Sequence, residues 1–589
     1  VPAFSSADLS ALWQREYRPI LYFTFLLLIG LAWNGGALWD QDEAAYAGFA
    51  KRMLDSGNWL IPDFIWSEPH RKPPLHFWHI ALSFKLFGVN TFALRLPSAL
   101  FLWASYLLVY GWVRRALHAQ TALLTVMVLS TTLLLSVLGK VSVTDSTLLF
   151  FETACAVALW HVLYRPGSRR WVWIFWGALA MALLVKGPPV LLFTGVLLPL
   201  LWFHPQRQNL WALKPWWYGP LALLPFAAWA YLTVQQDGGA LLQWLLDWYV
   251  VKRIGGSVFG QSGPPGTHVL YLALSFLPWI LFLPGAIKMG WQALKQRQHP
   301  LFFAAAWAVA GWLLWEFSPS KLPVYTMAAQ VPLALFVAQA AEGHRRLRLV
   351  TALACGLQVL LWGLILPLSE PMRNVMKQVS EEVRKNAEPG TTVYLAHQRF
   401  RPPSLPYYLE QAGMKPVAQR DLQQLVQRAY EQEAAAFLLS DTQAELLKPL
   451  LPDTNLHTVS APLWALALSN RYHIWSKPEN PQAAADSSLP PVRPLPFSHY
   501  LRQALQDTAR LQSLYTRAGE RGMTALHFLY REAAWLQETD FLKADYVRHA
   551  RAYPLHRAAV ERRAKAQGVT WDEQVRREAE QVVEGRWVR

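Results

Sequence analysis

The chain has 589 residues, of which 53% are hydrophobic and only 16% charged, with 30 tryptophans, two cysteines and a formal net charge of +16. That profile excludes an ordinary soluble enzyme and describes a polytopic membrane protein. The basic excess falls in short loops between apolar runs and in the C-terminal tail, so it points to topology and anionic headgroups rather than to nucleic acid.

In chain order, the run at 19–33 follows Arg15 and Arg18, lacks a small-residue cleavage site, and reads as a retained first helix. Spans are expected near 18–36, 93–113, 119–138, 146–164, 170–186, 188–203, 216–234, 268–287, 301–316, 322–341 and 347–367, eleven in all within a count of 11–13. Cys155 and Cys355 each lie inside one of these runs and read as packing residues, without a disulfide framework or a thiolate metal site. Alternate loops carry Arg114 and Arg115; Arg165, Arg169 and Arg170; Arg207 and Lys214; Lys288, Lys295 and Arg297; and Arg345, Arg346 and Arg348. The positive-inside rule makes these cytoplasmic. The intervening loops then share the external side and hold Asp42, Glu43, Arg71, Lys72, Lys140, Asp145, Lys186, Arg253, His268 and Lys321.

Within the first external loop, 36–92, the stretch 43–55 reads as a helix stopped by Ser-Gly-Asn, with Asp42 and Tyr46 an i, i+4 pair on one face. The apolar piece 75–88, with its Trp, two His and Lys, is too short to span and reads as an interfacial helix. After the last span the pattern changes. Strands are expected at 391–396, 435–439 and 463–469 and helices at 419–433 and 441–449, which describe a small external α/β domain over 371–476. A linker with six prolines covers 477–497, and a helical, Arg-rich extension runs over 498–589 and could bind a protein partner.

Asp40, Asp42 and Glu43 are three acids in four residues directly after an apolar run. One acid there would cap a helix; three at a membrane edge mark a functional cavity, and a carboxylate in it can act as general base. Arg71-Lys72-Pro73-Pro74 is either an interfacial anchor or an anion site, and its external position favours a phosphate held by an Arg fork and a Lys point charge. Lys140 and Asp145 form a further external cluster. Lys186 in Val-Lys-Gly-Pro-Pro and Lys321 in Ser-Lys-Leu-Pro-Val-Tyr325 interrupt apolar regions, either snorkelling or lining a cavity. His268, like His70, His76 and His79, is external, but no spacing among them makes a strong zinc motif. An acid among several cations suits moving a group off a membrane-borne phosphate, with the cations stabilising the leaving group.

The order Asp42-Glu43-Ala-Ala-Tyr46-Ala, Ser-Gly-Asn-Trp-Leu-Ile-Pro (56–62), Lys72-Pro-Pro, Phe-Ala-Leu-Arg-Leu-Pro-Ser (92–98), Asp145, Lys186-Gly and Ser-Lys321-Leu-Pro-Val-Tyr325 resembles the PMT-like branch of the GT-C membrane glycosyltransferases. Within it, the bacterial lipid A aminoarabinose transferases are most similar, and the likeness covers roughly 15–370. The resemblance implies a GT-C transmembrane domain over 1–370 and inverting sugar transfer from a polyprenyl-phosphate donor to a lipid, glycan or protein on the periplasmic side of the inner membrane. It implies Asp42 as the catalytic base with Glu43 and Tyr46 beside it, and Asp145 as a second cavity acid. Arg71, Lys72, Lys186, Lys321 and Tyr325 would contact the donor phosphate, with Lys140, Arg253 and His268 in the cavity. Two positions depart from the family pattern: Ala45 replaces an arginine and Arg71 a glutamate linked to a metal contact. No cofactor is required by this reading, and a divalent metal, with His268 as its candidate ligand, is left open. The competing expectations are a transporter or lipid flippase, which predicts internal repeats the sequence does not display, and a membrane scaffold acting through its C-terminal region.

Overall fold

The acids at 42–43 open helix α1 (Asp42–Ser56), where their charge complements the N-terminal dipole. The helix ends where Gly57 takes φ +72° and Ser56 caps back onto Arg52, the chain reversal foreseen at Ser-Gly-Asn. The computed structural model describes residues 36–39, 42–248, 262–297, 301–368, 375–396 and 401–419, three strands between 435 and 477, the helical stretch 554–584, and scattered positions between these. It divides into two compact units at 374/375.

In the first unit α2 (Leu75–Phe87) is the short apolar helix expected beside the membrane. Asn90 then caps α3 (Thr91–Ala116), its side chain accepting from the Ala93 amide at 2.9 Å. The chain continues through α4 (Ala119–Thr131), α5 (Leu133–Leu138), α6 (Thr144–Tyr164), α7 (Arg169–Lys186), α8 (Pro189–Leu201), α9 (Pro215–Asp237) and α10 (Ala240–Leu246). After the gap in description come α11 (Thr267–Ser275), α12 (Leu283–Lys295), α13 (Phe302–Phe317), α14 (Met327–Ala341) and α15 (Leu347–Leu368). Among the described residues α3, α6, the stretch Pro323–Ala341 and α15 are each long and apolar enough to cross a membrane. The expected first span, 18–36, lies almost wholly outside the described residues.

Two expected continuous spans are broken. The one at 119–138 is interrupted where Thr132 takes an extended conformation. The one at 268–287 bends by 114° between Thr267–Ser275 and Trp279–Lys295, with Pro278, which has no amide hydrogen, at the break. The two breaks satisfy one another. Trp279 donates its indole N–H to the Thr131 hydroxyl at 2.8 Å, the Gln358 amide donates to the Thr131 carbonyl at 2.9 Å, and Ser275 donates to Gln330 at 3.2 Å. Of these, the Gln358 bond takes up a backbone carbonyl at the first break, as a broken helix in an apolar medium requires.

The interior is aromatic where helices diverge and small where they touch. Trp112 packs on Trp307 with ring centroids 5.0 Å apart. Gly311 lets α13 press on α14, since a Cβ there would lie 2.5 Å from the Ala329 amide nitrogen.

In the second unit α16 (Val375–Asn386) precedes a five-stranded sheet ordered β2-β1-β3-β5-β4. Its strands are β1 (Thr392–Leu395), β2 (Lys415–Ala418), β3 (Ala435–Leu439), β4 (Leu456–Ser460) and β5 (Arg471–Lys477). β1 runs parallel to β2 and β3, while β5 runs antiparallel to β3 and β4. Helix α17 (Ser404–Gln411) supplies the crossover between β1 and β2. The strands expected at 391–396 and 435–439 coincide with β1 and β3; the one at 463–469 falls outside the described residues, as do most of the helices at 419–433 and 441–449 and the linker 477–497. Of the C-terminal extension the structure describes chiefly α18 (Pro554–Gln567) and α19 (Trp571–Glu584), joined by a forked Arg563–Glu578 pair at 2.7 and 3.0 Å.

Because the Gly311 contact is with backbone, which cannot move aside, Gly311→Ala is expected to destabilise the membrane unit by ~1–3 kcal/mol. Thermal unfolding of the purified protein in detergent checks this, and an unchanged midpoint would show that the α13–α14 contact is looser than described.

Candidate active site

The two acids that open α1 meet different surroundings although they are neighbours. Successive helical positions point about 100° apart, so one side chain turns inward and the other toward the loop. Glu43 is fully buried and all of its carboxylate is used. Oε1 accepts from Arg95 Nε at 2.7 Å and the Ser142 amide at 2.9 Å; Oε2 accepts from Arg95 Nη2 at 2.9 Å and the Trp39 amide at 2.7 Å. Arg95 also donates to the Ala37 carbonyl at 3.1 Å. One forked ion pair therefore ties together the chain before α1, the first turn of α3 and the loop before α6.

Asp42 is open by contrast, with 48% of its side chain accessible. Its Oδ1 accepts from the Tyr46 hydroxyl at 2.9 Å, faces His70 Nδ1 at 3.1 Å and lies 3.5 Å from Lys72 Nζ, while Lys72 in turn hydrogen-bonds Tyr46. The shielding it does have would raise this carboxyl; Lys72, His70 and Tyr46 outweigh it and hold the group well below the ordinary carboxylate range. Lys72 also lies over the Tyr46 ring, 4.8 Å from its centroid. His76 on α2 braces the same tyrosine edge-on and bonds Thr147 at 2.9 Å, reaching the start of α6. Burial, with His79 and Lys72 nearby, keeps His76 neutral.

The loop 139–143 carries the arrangement onward. Three residues past the Ser142 clamp, Asp145 in the first turn of α6 accepts from Lys186 Nζ at 2.6 Å, at the end of α7. Lys140 is buried under the Trp362 ring, 4.4 Å from its centroid, and burial pushes its ammonium down to about 8.

A further set of contacts gathers around Lys321, which donates to the Glu316 carbonyl at 2.5 Å and lies 3.8 Å from the Glu316 carboxylate. Tyr325 packs at a tilt against Trp315 and lies near His268. Arg71 is forked away from Lys72 and pairs with Asp63 at 2.5 Å. Arg253 and Asp40 lie outside the described residues. The sequence assigned no role at this site to Arg95, which stands within the 92–98 motif, to Ser142, or to His70 and His76, which it placed only among the external histidines. Arg95 had a readable signal, an arginine inside an apolar run that demands a partner, whereas Ser142 acts through its backbone and leaves no signature.

Among the described residues no three His, Cys, Asp or Glu groups converge. The Glu316 carboxylate beside His268 already accepts from the Gly266 amide and the Trp312 indole.

A sequence profile described as dolichyl-phosphate-mannose-protein mannosyltransferase matches residues 71–232. The undecaprenyl phosphate-alpha-4-amino-4-deoxy-L-arabinose arabinosyl transferase of Pseudomonas aeruginosa is 32% identical over 355 residues, 58% of this chain and 62% of that protein. Its namesake from Shewanella sediminis is 31% identical over 332 residues, 54% of this chain and 58% of that one. The chain thus spans about three fifths of the length of these curated relatives. Among solved structures, ArnT from Cupriavidus metallidurans bound to undecaprenyl phosphate matches with a TM-score of 0.65 at 17% identity, covering 82% of this chain and 99% of that one. Its apo form matches with 0.63. The fold is therefore the GT-C membrane fold. The profile and the curated relatives are of the kind that the motifs resemble.

Removing Arg95 would strand a buried carboxylate. Arg95→Met is expected to cost ~3–5 kcal/mol, the range for breaking a buried pair from one side. Unfolding in detergent measures this, and a variant as stable as the parent would contradict the anchoring role of the pair.

Proposed function

We propose that the protein transfers a sugar, with inversion, from a polyprenyl-phosphate donor to a lipid, glycan or protein acceptor on the periplasmic side of a bacterial inner membrane. The observation that carries this reading is the ionised, half-open Asp42 carboxylate held directly against the Lys72 ammonium. The relatives, named for an undecaprenyl phosphate aminoarabinose donor, support that class of donor. Ala45 and Arg71, where the family pattern has arginine and glutamate, leave the sugar open.

The chemistry follows from the charges. The acceptor attacks the anomeric carbon while Asp42 takes its proton. The bond from that carbon to the donor phosphate oxygen breaks, and the phosphate leaves with the electron pair, met by Lys72. In the resting site Lys72 and His70 make Asp42 a weak base. A donor phosphate that draws Lys72 toward itself would return basicity to Asp42 when it is needed, so donor binding and activation of the base are coupled. Glu43, saturated by four donors, serves as a positioning residue that fixes α1 and hence Asp42. Asp145 and Lys186 orient donor or acceptor deeper in the same region, and Lys321 with Tyr325 lines the donor's approach.

Release of undecaprenyl phosphate from a panel of undecaprenyl-phosphate sugars, in membrane vesicles that supply the native acceptor, tests this. Asp42→Asn is expected to lose on the order of 10²- to 10⁴-fold in turnover while binding undecaprenyl phosphate as the parent does. Lys72→Ala is expected to weaken that binding about tenfold. Normal turnover by Asp42→Asn would remove the assignment.

A further inference from the structure

The far end of the membrane unit holds a cavity that the proposed reaction does not use. α6 begins at Asp145 and α7 ends at Lys186, so Tyr164 and Arg169, at their other ends, lie at the opposite edge of the unit. Twenty-one residues at 1.5 Å each put about 30 Å between Asp145 and the end of α6, too far for one phosphate to serve both places. There the segment between α8 and α9 folds into the 3₁₀ turn Arg207–Leu213 and is fastened to both helices. Asn209 donates to the Leu163 carbonyl at 2.7 Å, the Tyr164 hydroxyl meets His204 Nε2 at 3.0 Å, and the Trp176 indole donates to the Leu213 carbonyl at 2.9 Å.

Between this turn, α7 and α8 lies a cavity of about 360 Å³, within the size range of ligand pockets. Phe175, Leu210 and Leu213 are buried and form its floor. Trp202 and Trp211, 44% and 55% exposed, stand at its mouth with their rings edge to face. The lining is apolar and aromatic throughout, so what enters is an apolar chain. The rim is basic. Arg207 lies over the Trp202 ring, 6.0 Å from its centroid, and Lys214 stands between the lining residues Leu213 and Pro215; both are exposed. Among the described residues neither has an acidic partner.

Trp173, Trp216 and Trp217, each more than half exposed, continue this aromatic surface on α7 and α9. Exposed tryptophans gathered in this way mark the depth at which acyl chains give way to headgroups, and Arg165, Arg169 and Arg170 at the same end mark it as the cytoplasmic edge. We propose that the cavity is a site for an anionic glycerophospholipid of the cytoplasmic leaflet, with an acyl chain between Trp176, Trp202 and Trp211 and the phosphate against Arg207 and Lys214. The charge of the rim selects such a lipid over a neutral apolar ligand. The site does not depend on the transferase reading.

The test titrates the full chain, delipidated in dodecyl maltoside, with dioleoyl phosphatidylglycerol, dioleoyl phosphatidylcholine and glycerol phosphate, and reads bound ligand by native mass spectrometry. The parent should bind phosphatidylglycerol about tenfold more tightly than phosphatidylcholine, the range of a charge-assisted contact. Arg207→Gln combined with Lys214→Gln should bring the two lipids level, and Trp211→Ala should weaken both. Arg345→Gln, on another basic loop, should change neither. All four side chains are exposed, so these variants are expected to fold. Equal binding of the two lipids by the parent overturns the phosphate contact, and glycerol phosphate bound as tightly as phosphatidylglycerol overturns the chain in the cavity. A loss with Arg345→Gln as large as with the double substitution reduces the effect to general attraction by a basic surface and overturns the site. Undecaprenyl phosphate, titrated alongside, should bind the double variant as it binds the parent; if it alone loses affinity, the cavity belongs to that carrier and the phospholipid assignment falls.

Discussion

The fork between Arg95 and Glu43 is the contact on which the site depends. It sits where charge is least welcome, and it is tolerated because every acceptor position of the carboxylate is met: two by the guanidinium and two by backbone amides from distant parts of the chain. Its consequence is geometric. With Glu43 fixed on one side of α1, the adjacent Asp42 must project from another, into the loop where Lys72 and His70 stand. Adjacent acids of the same chemistry thereby divide into a saturated anchor and an accessible carboxylate.

Around this anchor the low dielectric sets the rules for the remaining charges. Lys186 closes on Asp145 and Lys321 on Glu316, each pair at the junction of two helices. The loop 139–143 links the Lys186–Asp145 pair to the first acid, with Ser142 on Glu43, Asp145 close behind, and Lys140 under Trp362. Groups that belong to four separate helices are thus held by one short segment. A displacement of that segment would move an acid, a cation and the anchor together, which couples the three mechanically.

Much of this was legible in the residues. The stop at Ser-Gly-Asn, the i, i+4 pairing of Asp42 with Tyr46 and the short helix 75–87 follow from local rules of turn and periodicity, and they are present as read. The helical breaks at Thr132 and Pro278 were harder to see. Hydropathy windows average across a broken span, and a threonine that leaves the helix differs in sequence from one that stays. The separation of Glu43 from Asp42 depended on a partner 52 residues away, and His70 reached Asp42 only through the fold of the loop. In the second unit the strands with dense apolar runs were readable, whereas Lys415–Ala418 and Arg471–Lys477 carry polar residues and join the sheet through their neighbours.

In the proposed reaction Asp42 takes the proton of the acceptor that attacks a sugar carried by a polyprenyl phosphate. Mass spectrometry of the lipids that co-purify with the parent and with Asp42→Asn tests it most directly, because a disabled base should trap the donor. The account predicts a polyprenyl-phosphate sugar enriched on the variant and depleted on the parent. Bulk phospholipid alone on both, with the fold intact and a polyprenol pool supplied, would contradict it.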